Sequence, residues 1–140
     1  MTQPTAINFR PARTTGFWMA VAMAALQAMN AVRTLIDPVG FSAYMGLPVA
    51  DAGPAAWVQV YGLRAAFIAI LVTILLARRN FAALRIMTLA ALVMPLGDAW
   101  LTAKAGASPA IIARHLATFA FLVIAAFFLS RAARQQTAAA

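Results

Sequence analysis

The sequence predicts an all-α fold: a four-helix transmembrane bundle with a short interfacial helix after the first span. Three observations lead there. Four apolar stretches, at about 15–36, 57–77, 81–103 and 110–130, each supply the roughly 20 helical residues needed to cross a bilayer core. Hydrophobic residues make up 64% of the chain and charged residues only 10%, the reverse of a water-facing surface. Almost every charge falls at or near an end of one of the stretches. Four spans in 140 residues leave no room for a separate soluble domain, so residues 15–130 form one transmembrane domain between an N-terminal arm, 1–14, and a tail, 131–140.

The first stretch runs from Thr15 to Ile36, interrupted only by Gln27, Asn30 and Arg33. Arg10 and Arg13 before it, with Ala22-Met23-Ala24 inside it, resemble a signal peptide. The apolar run outlasts the usual length of such a segment, so it is expected to remain as a span. Asp37-Pro38 closes it and opens a new turn, because aspartate caps a helix and proline fits its first position. Phe41, Tyr44 and Met45 follow at helical spacing, and Gly46 and Pro48 provide the stop, which defines the interfacial helix over 38–45.

Gly53-Pro54 leads into the second span. Arg78-Arg79-Asn80 makes a tight turn into the third, so those helices are expected to be antiparallel neighbours. Pro95 should weaken the third helix one turn before Asp98 by freeing the carbonyl of Ala91, and with Gly97 would form a kink that aims Asp98 inward. Gly106 to Pro109 forms the last turn, with Ser108 as cap. Gly16, Ala20, Ala24 and Ala28 in the first helix, and Gly62, Ala66 and Ala69 in the second, offer small-residue surfaces for close packing. The same rows would allow a homodimer or a larger membrane complex.

The net charge of +8 does not point to nucleic acid, because the basic residues flank spans instead of forming a soluble face. Arg10, Arg13, Arg78, Arg79, Arg85, Arg131 and Arg134 gather on one side, which places both termini in the cytoplasm of a bacterial inner-membrane protein. The chain has no cysteine, which excludes disulfides and cysteine-ligated metal, and one histidine beside one aspartate does not make a metal site. No cofactor is implied.

With that topology the intramembrane polar residues collect at one depth, in the outer half. Gln27, Asn30, Arg33 and Thr34 come from the first helix, Tyr61 and Arg64 from the second, Asp98 from the third, and Arg114 and His115 from the fourth. Asp98 and Arg114 are equally far from Gly106, which predicts an ion pair across the hairpin. Arg33, Arg64 and Arg114 against Asp98, and Asp37 if it too pairs, leave a surplus positive charge, favouring an anionic or carbonyl-bearing ligand. Each arginine also has a plainer reading, as a snorkelling anchor or, for Arg33, a cation at a helix C-terminus. His115 is read as a hydrogen-bonded structural group or, less readily, a base.

Taken together, Arg33-Thr-Leu-Ile-Asp-Pro-Val-Gly-Phe continuing to Met45-Gly-Leu-Pro, Tyr61-Gly-Leu-Arg64, Pro95-Leu-Gly-Asp98 and His115 resemble small bacterial DoxX-like membrane proteins. They are more similar still to an uncharacterised four-helix family beside them. The resemblance covers nearly the whole chain except its tails. It implies a compact four-helix bundle with a polar site toward one side and says little about activity. The redox roles of some DoxX proteins depend on partner subunits and do not transfer.

Three functions fit this reading. The first is an accessory or binding protein of the lipid bilayer, holding a small amphipathic ligand such as a lipid, quinone or carboxylate. Arg64 and Arg114 would hold its head, Asp98 would orient Arg114, and Tyr61 or His115 would add hydrogen bonds. The second is an isomerase or cyclase with Asp98 and His115 as acid and base. The third is a dimeric small transporter, for which Asp98 among arginines is a poor cation site.

Overall fold

A computed structural model describes residues 10–50 and 52–139 of the chain. A single 3-10 turn at Pro11–Arg13 precedes six helices: α1 Thr15–Ile36, α2 Pro38–Met45, α3 Ala52–Ala77, α4 Phe81–Ala91, α5 Val93–Lys104 and α6 Pro109–Ala138. No strand occurs among the described residues. Four helical segments, 15–36, 53–77, 81–104 and 109–138, are long and apolar enough to cross a membrane, as a multi-pass protein requires.

Local chemistry sets the ends. Thr14 caps α1 by accepting from the Phe17 amide at 3.2 Å, and Asp37 caps α2 by accepting from Gly40 at 2.8 Å. Pro38 and Pro109 occupy first-turn positions, where a missing N–H costs nothing. The α3–α4 turn puts Arg79 in the left-handed region at φ 53°, and Asn80 then caps α4 through the Ala83 amide at 3.0 Å. The third apolar stretch is divided at Leu92, one turn before Pro95, whose ring takes the place of the amide that would bond back to Ala91. Two helices outrun their apolar stretches. α3 starts at Ala52 because its first turn tolerates Pro54, and α6 runs past Ser130 because Arg, Ala and Gln are good helix formers.

The bundle is solid at one end and hollow at the other. Ala20 and Met23 of α1, Val72 of α3, Phe81 and Leu84 of α4, and Leu122, Ala125, Leu129 and Ala132 of α6 form one buried cluster toward the arginine-bearing end. Two glycines permit the closest crossings. A Cβ on Gly16 would stand 2.8 Å from the Phe128 carbonyl of α6, and one on Gly62 would stand 2.9 Å from Cβ of Thr34 on α1. The buried hydroxyls of Thr34, Thr88 and Thr102 donate to carbonyls one turn back, at Asn30, Leu84 and Asp98, so none needs water.

Packing joins α3 to α1, α1 to α6, and α6 to both α4 and α5. α4 also meets α3, closing the ring at the solid end; α5, beyond the break, scarcely touches α3. The second and third spans are thus consecutive and antiparallel, but their main packing partners are α1 and α6. The outer surface is apolar, with Val32, Leu63, Phe67, Ile70, Ile86 and Phe127 exposed. Trp18, Trp57 and Trp100 are exposed near span ends, where indoles favour the membrane–water boundary.

Candidate functional site

The site begins with α2, which is docked on the bundle. Its Phe41 and Ser42 are buried, and the Phe41 ring lies 5.7 Å from that of Tyr61 on α3. The Ser42 hydroxyl accepts from the Val49 amide at 3.0 Å and so folds the following loop back onto the helix. Gly46 ends α2 in the left-handed region at φ 89° and wedges against Ile111 and Thr102. The last carbonyls of a helix lack partners within it. Here α6 supplies them: Nη2 of Arg114 donates to the Tyr44 carbonyl, and Nε2 of His115 lies 3.1 Å from the Met45 carbonyl. A cation is favoured at this end by the helix dipole. The guanidinium of Arg114 also stacks on the Tyr44 ring, 3.7 Å from its centroid.

Beneath this cap lies a cavity of about 460 Å³, within the size range of small-molecule sites. α3 and α5 flank it, α1 and α6 contribute its other walls, α4 adds Met87 and Ala91, and α2 adds Tyr44 and Met45. Polar side chains reach it from five helices: Gln27 and Asn30, Tyr44, Tyr61, Asp98, and Arg114, His115 and Thr118. The remaining wall is apolar. Met23, Met29, Met45, Met87 and Met94 are five of the chain's seven methionines, and they stand beside Ile68, Val72, Phe121 and Leu122. Thioether side chains adapt to irregular apolar shapes, so this wall suits a hydrocarbon body better than a fixed polar one.

The structure brings Asn30, Tyr61, Asp98, Arg114 and His115 together around this space and leaves Arg33 and Arg64 outside it. Arg64 is exposed on α3. Arg33 is exposed too, with its guanidinium 4.7 Å from the Tyr44 ring centroid. The ion pair expected between Asp98 and Arg114 does not form. Arg114 turns to the end of α2, and Asp98 approaches His115 instead, with Oδ2 4.0 Å from Nδ1. The expected surplus of positive charge is absent as well. Among the described residues lining the cavity, one aspartate faces one arginine. Nε of Arg114 is buried and has no hydrogen-bond partner. Among the described residues no three potential metal-ligating side chains gather.

Sequence reasoning missed Tyr44 and Met45 as part of the site: their spacing marks a short helix, and the backbone carbonyls that Arg114 and His115 engage have no side-chain signature. The methionine wall had a legible signal. Met23, Met87 and Met94 lie within spans on the cavity side, while the fully apolar lipid faces carry mostly Val, Leu, Ile and Phe.

The family described as Domain of unknown function (DUF4267) matches residues 24–129, and the chain belongs to that family. The match takes in every cavity-lining residue except Met23. No curated protein and no solved structure matches the chain.

Proposed function

We propose that this protein binds a small amphipathic ligand in the cavity between α3 and α5. The observation that carries the reading is the combination of a methionine-lined space with polar side chains brought to it from five helices. The ligand's head sits among Asn30, Tyr61, Asp98, Arg114 and His115, and its body lies along Met23, Met87, Met94 and Phe121. In this reading the protein resides in the inner membrane with its termini in the cytoplasm and the cavity toward the outer side, acting as a binding or accessory protein. The kinship with DoxX-like proteins belongs to the same proposal and rests on the four motif segments alone.

Filling the cavity tests the idea. A Cβ added to Gly97 would meet nothing within 4 Å, so Gly97→Phe places a ring toward the space without crowding the helix. Native mass spectrometry and extraction of gently purified wild type should reveal a bound small molecule that Gly97→Phe lacks. Equal extracts from both proteins would remove the proposal. A second reading, an isomerase or cyclase with Asp98 and His115 as acid and base, is favoured by the 4.0 Å approach of these two groups inside the cavity. Turnover of the extracted molecule by wild type but not by Asp98→Asn would select it.

A further inference from the structure

We propose that the ligand is a phosphate-bearing lipid. Its phosphate rests on Arg33 at the membrane boundary, its ester-bearing neck lies along Asn30 and Gln27, and one chain fills the methionine-lined space. This rests on the reading of the cavity as a ligand site.

Two relationships bring Arg33 to the rim of the cavity. Its guanidinium carbon lies 4.7 Å from the ring centroid of Tyr44, which is itself a lining residue. On α1 it follows Met29 by four positions and Asn30 by three, and both of these line the cavity. Leu26, Met29 and Arg33 fall at i, i+3 and i+7, so they form one stripe along the helix. Leu26 and Met29 are 43% and 45% exposed while they line the cavity, so the stripe borders an opening in its wall. Arg33 stands outside the cavity, at the edge of that opening.

The depth and the charge of Arg33 select the head. It belongs to the last turn of α1, where a span meets the head-group layer. A guanidinium stays charged at every accessible pH, and its planar fork matches phosphate oxygens. Among the described residues Arg33 is exposed and forms no ion pair. Arg114, the other guanidinium on the Tyr44 ring, is committed to the end of α2. Asp37, one turn beyond Arg33, is occupied in capping α2 through the Gly40 amide. An exposed cation without a partner at this depth favours an anionic oxygen group.

The layers beneath Arg33 separate a phospholipid from simpler amphiphiles. Three lining residues of α1 follow it inward: Asn30, Gln27 and Met23. They lie about 4.5, 9 and 15 Å along the helix axis from Arg33. Met23 also belongs to the packed cluster that floors the cavity. The order from the boundary inward is thus a cation, two amides and a hydrocarbon floor. None of these groups titrates. A glycerophospholipid presents phosphate, ester and chain in the matching order, and amide N–H groups donate to ester oxygens. A fatty acid lacks the middle part, and a monoacylglycerol lacks the phosphate.

The test uses the full chain in phosphate-free maltoside micelles with three probes that share one diazirine-tipped chain. They are a lysophosphatidate, the corresponding monoacylglycerol and the fatty acid. Photolabelling with tandem mass spectrometry should place the lysophosphatidate adduct on Met23 or Met87, inside the cavity. It should saturate at a concentration about tenfold below the other two probes. Arg33→Gln should remove that advantage, and Arg33→Lys should keep part of it. Millimolar inorganic phosphate should leave the adduct in place. Equal midpoints with adducts still inside, or an advantage that survives in Arg33→Gln, would overturn the inference yet leave the cavity as a ligand site. Displacement by inorganic phosphate would also overturn it, by assigning Arg33 to a soluble anion. Adducts confined to Phe67, Ile70 or Phe127 on the outer surface would reduce the contact to ordinary annular lipid and overturn it too. The cavity reading is then decided separately, by the extracts of wild type and Gly97→Phe.

Discussion

The guanidinium carbon of Arg114 lies 3.7 Å from the centroid of the Tyr44 ring, and the same side chain donates through Nη2 to the Tyr44 carbonyl. One residue on α6 therefore holds both the side chain and the backbone of one residue on α2. The double attachment explains why an eight-residue helix, too short to be stable alone, stays seated over the cavity.

Arg114→Ala removes the cap and the stacking together and should destabilise the protein by about 2–4 kcal/mol. Arg114→Lys keeps a charge at the helix end but not the planar geometry, so it should recover only part of the loss. Thermal unfolding in nanodiscs, followed by circular dichroism, checks the order wild type, Lys, Ala.

Gly46→Ala should loosen α2 specifically. The residue has φ 89°, and an added Cβ would meet Cγ2 of Ile111 at 2.6 Å. The left-handed backbone alone costs an L-residue about 1–2 kcal/mol. Hydrogen exchange of the amides in 38–49 should accelerate well beyond any change in α1 or α6.

Two helical glycines should respond in opposite ways. Gly62→Leu forces α3 away from Thr34 and should cost several kcal/mol, of the order seen for overpacked cores or above. Gly97→Ala meets no neighbour and should stabilise by about 0.5–1 kcal/mol through helix propensity. Unfolding midpoints of the two variants against wild type decide the matter. If both fell equally, the close α1–α3 crossing would not be a constraint on the fold.

The absence of cysteine makes topology directly measurable. Single replacements Ala105→Cys, in the α5–α6 turn, and Arg79→Cys, in the α3–α4 turn, report opposite ends of the bundle. In intact cells a membrane-impermeant maleimide should label the first and spare the second. The reverse pattern would place the cavity toward the cytoplasm.

Much of this architecture can be read from the residues, and the misses have two causes. The bounds of α1 and α2 coincide with the apolar run to Ile36 and with the Asp37-Pro38 and Gly46 signals, because capping chemistry is local. A weakening of the third span at Pro95 is equally legible, since proline acts on its own helix, and the structure carries it to a full break at Leu92. Equal distance from Gly106 predicts one height for Asp98 and Arg114, and both line the cavity, yet the residue that Asp98 approaches is His115. Register along a hairpin fixes height, whereas azimuth changes by about 100° per residue, and neighbouring positions face different ways. Arg64 lies three positions after Tyr61, about 60° further round α3, where it is exposed while Tyr61 lines the cavity. The role of α2 was hidden more deeply, because carbonyl groups at a helix end have no letter in the sequence.

The weak packing of α5 against α3 bears on how a guest arrives. If the seam between them opens sideways, the molecule comes from the hydrocarbon phase and never crosses bulk water. Its working concentration is then the one reached by partition into the bilayer, and each added methylene raises that enrichment by about 0.8 kcal/mol. Affinities measured against total aqueous concentration would climb steeply along a homologous series even with identical contacts inside the protein. Expressed per mole of lipid, the same series would be flat, and the difference between the two scales would belong to the membrane.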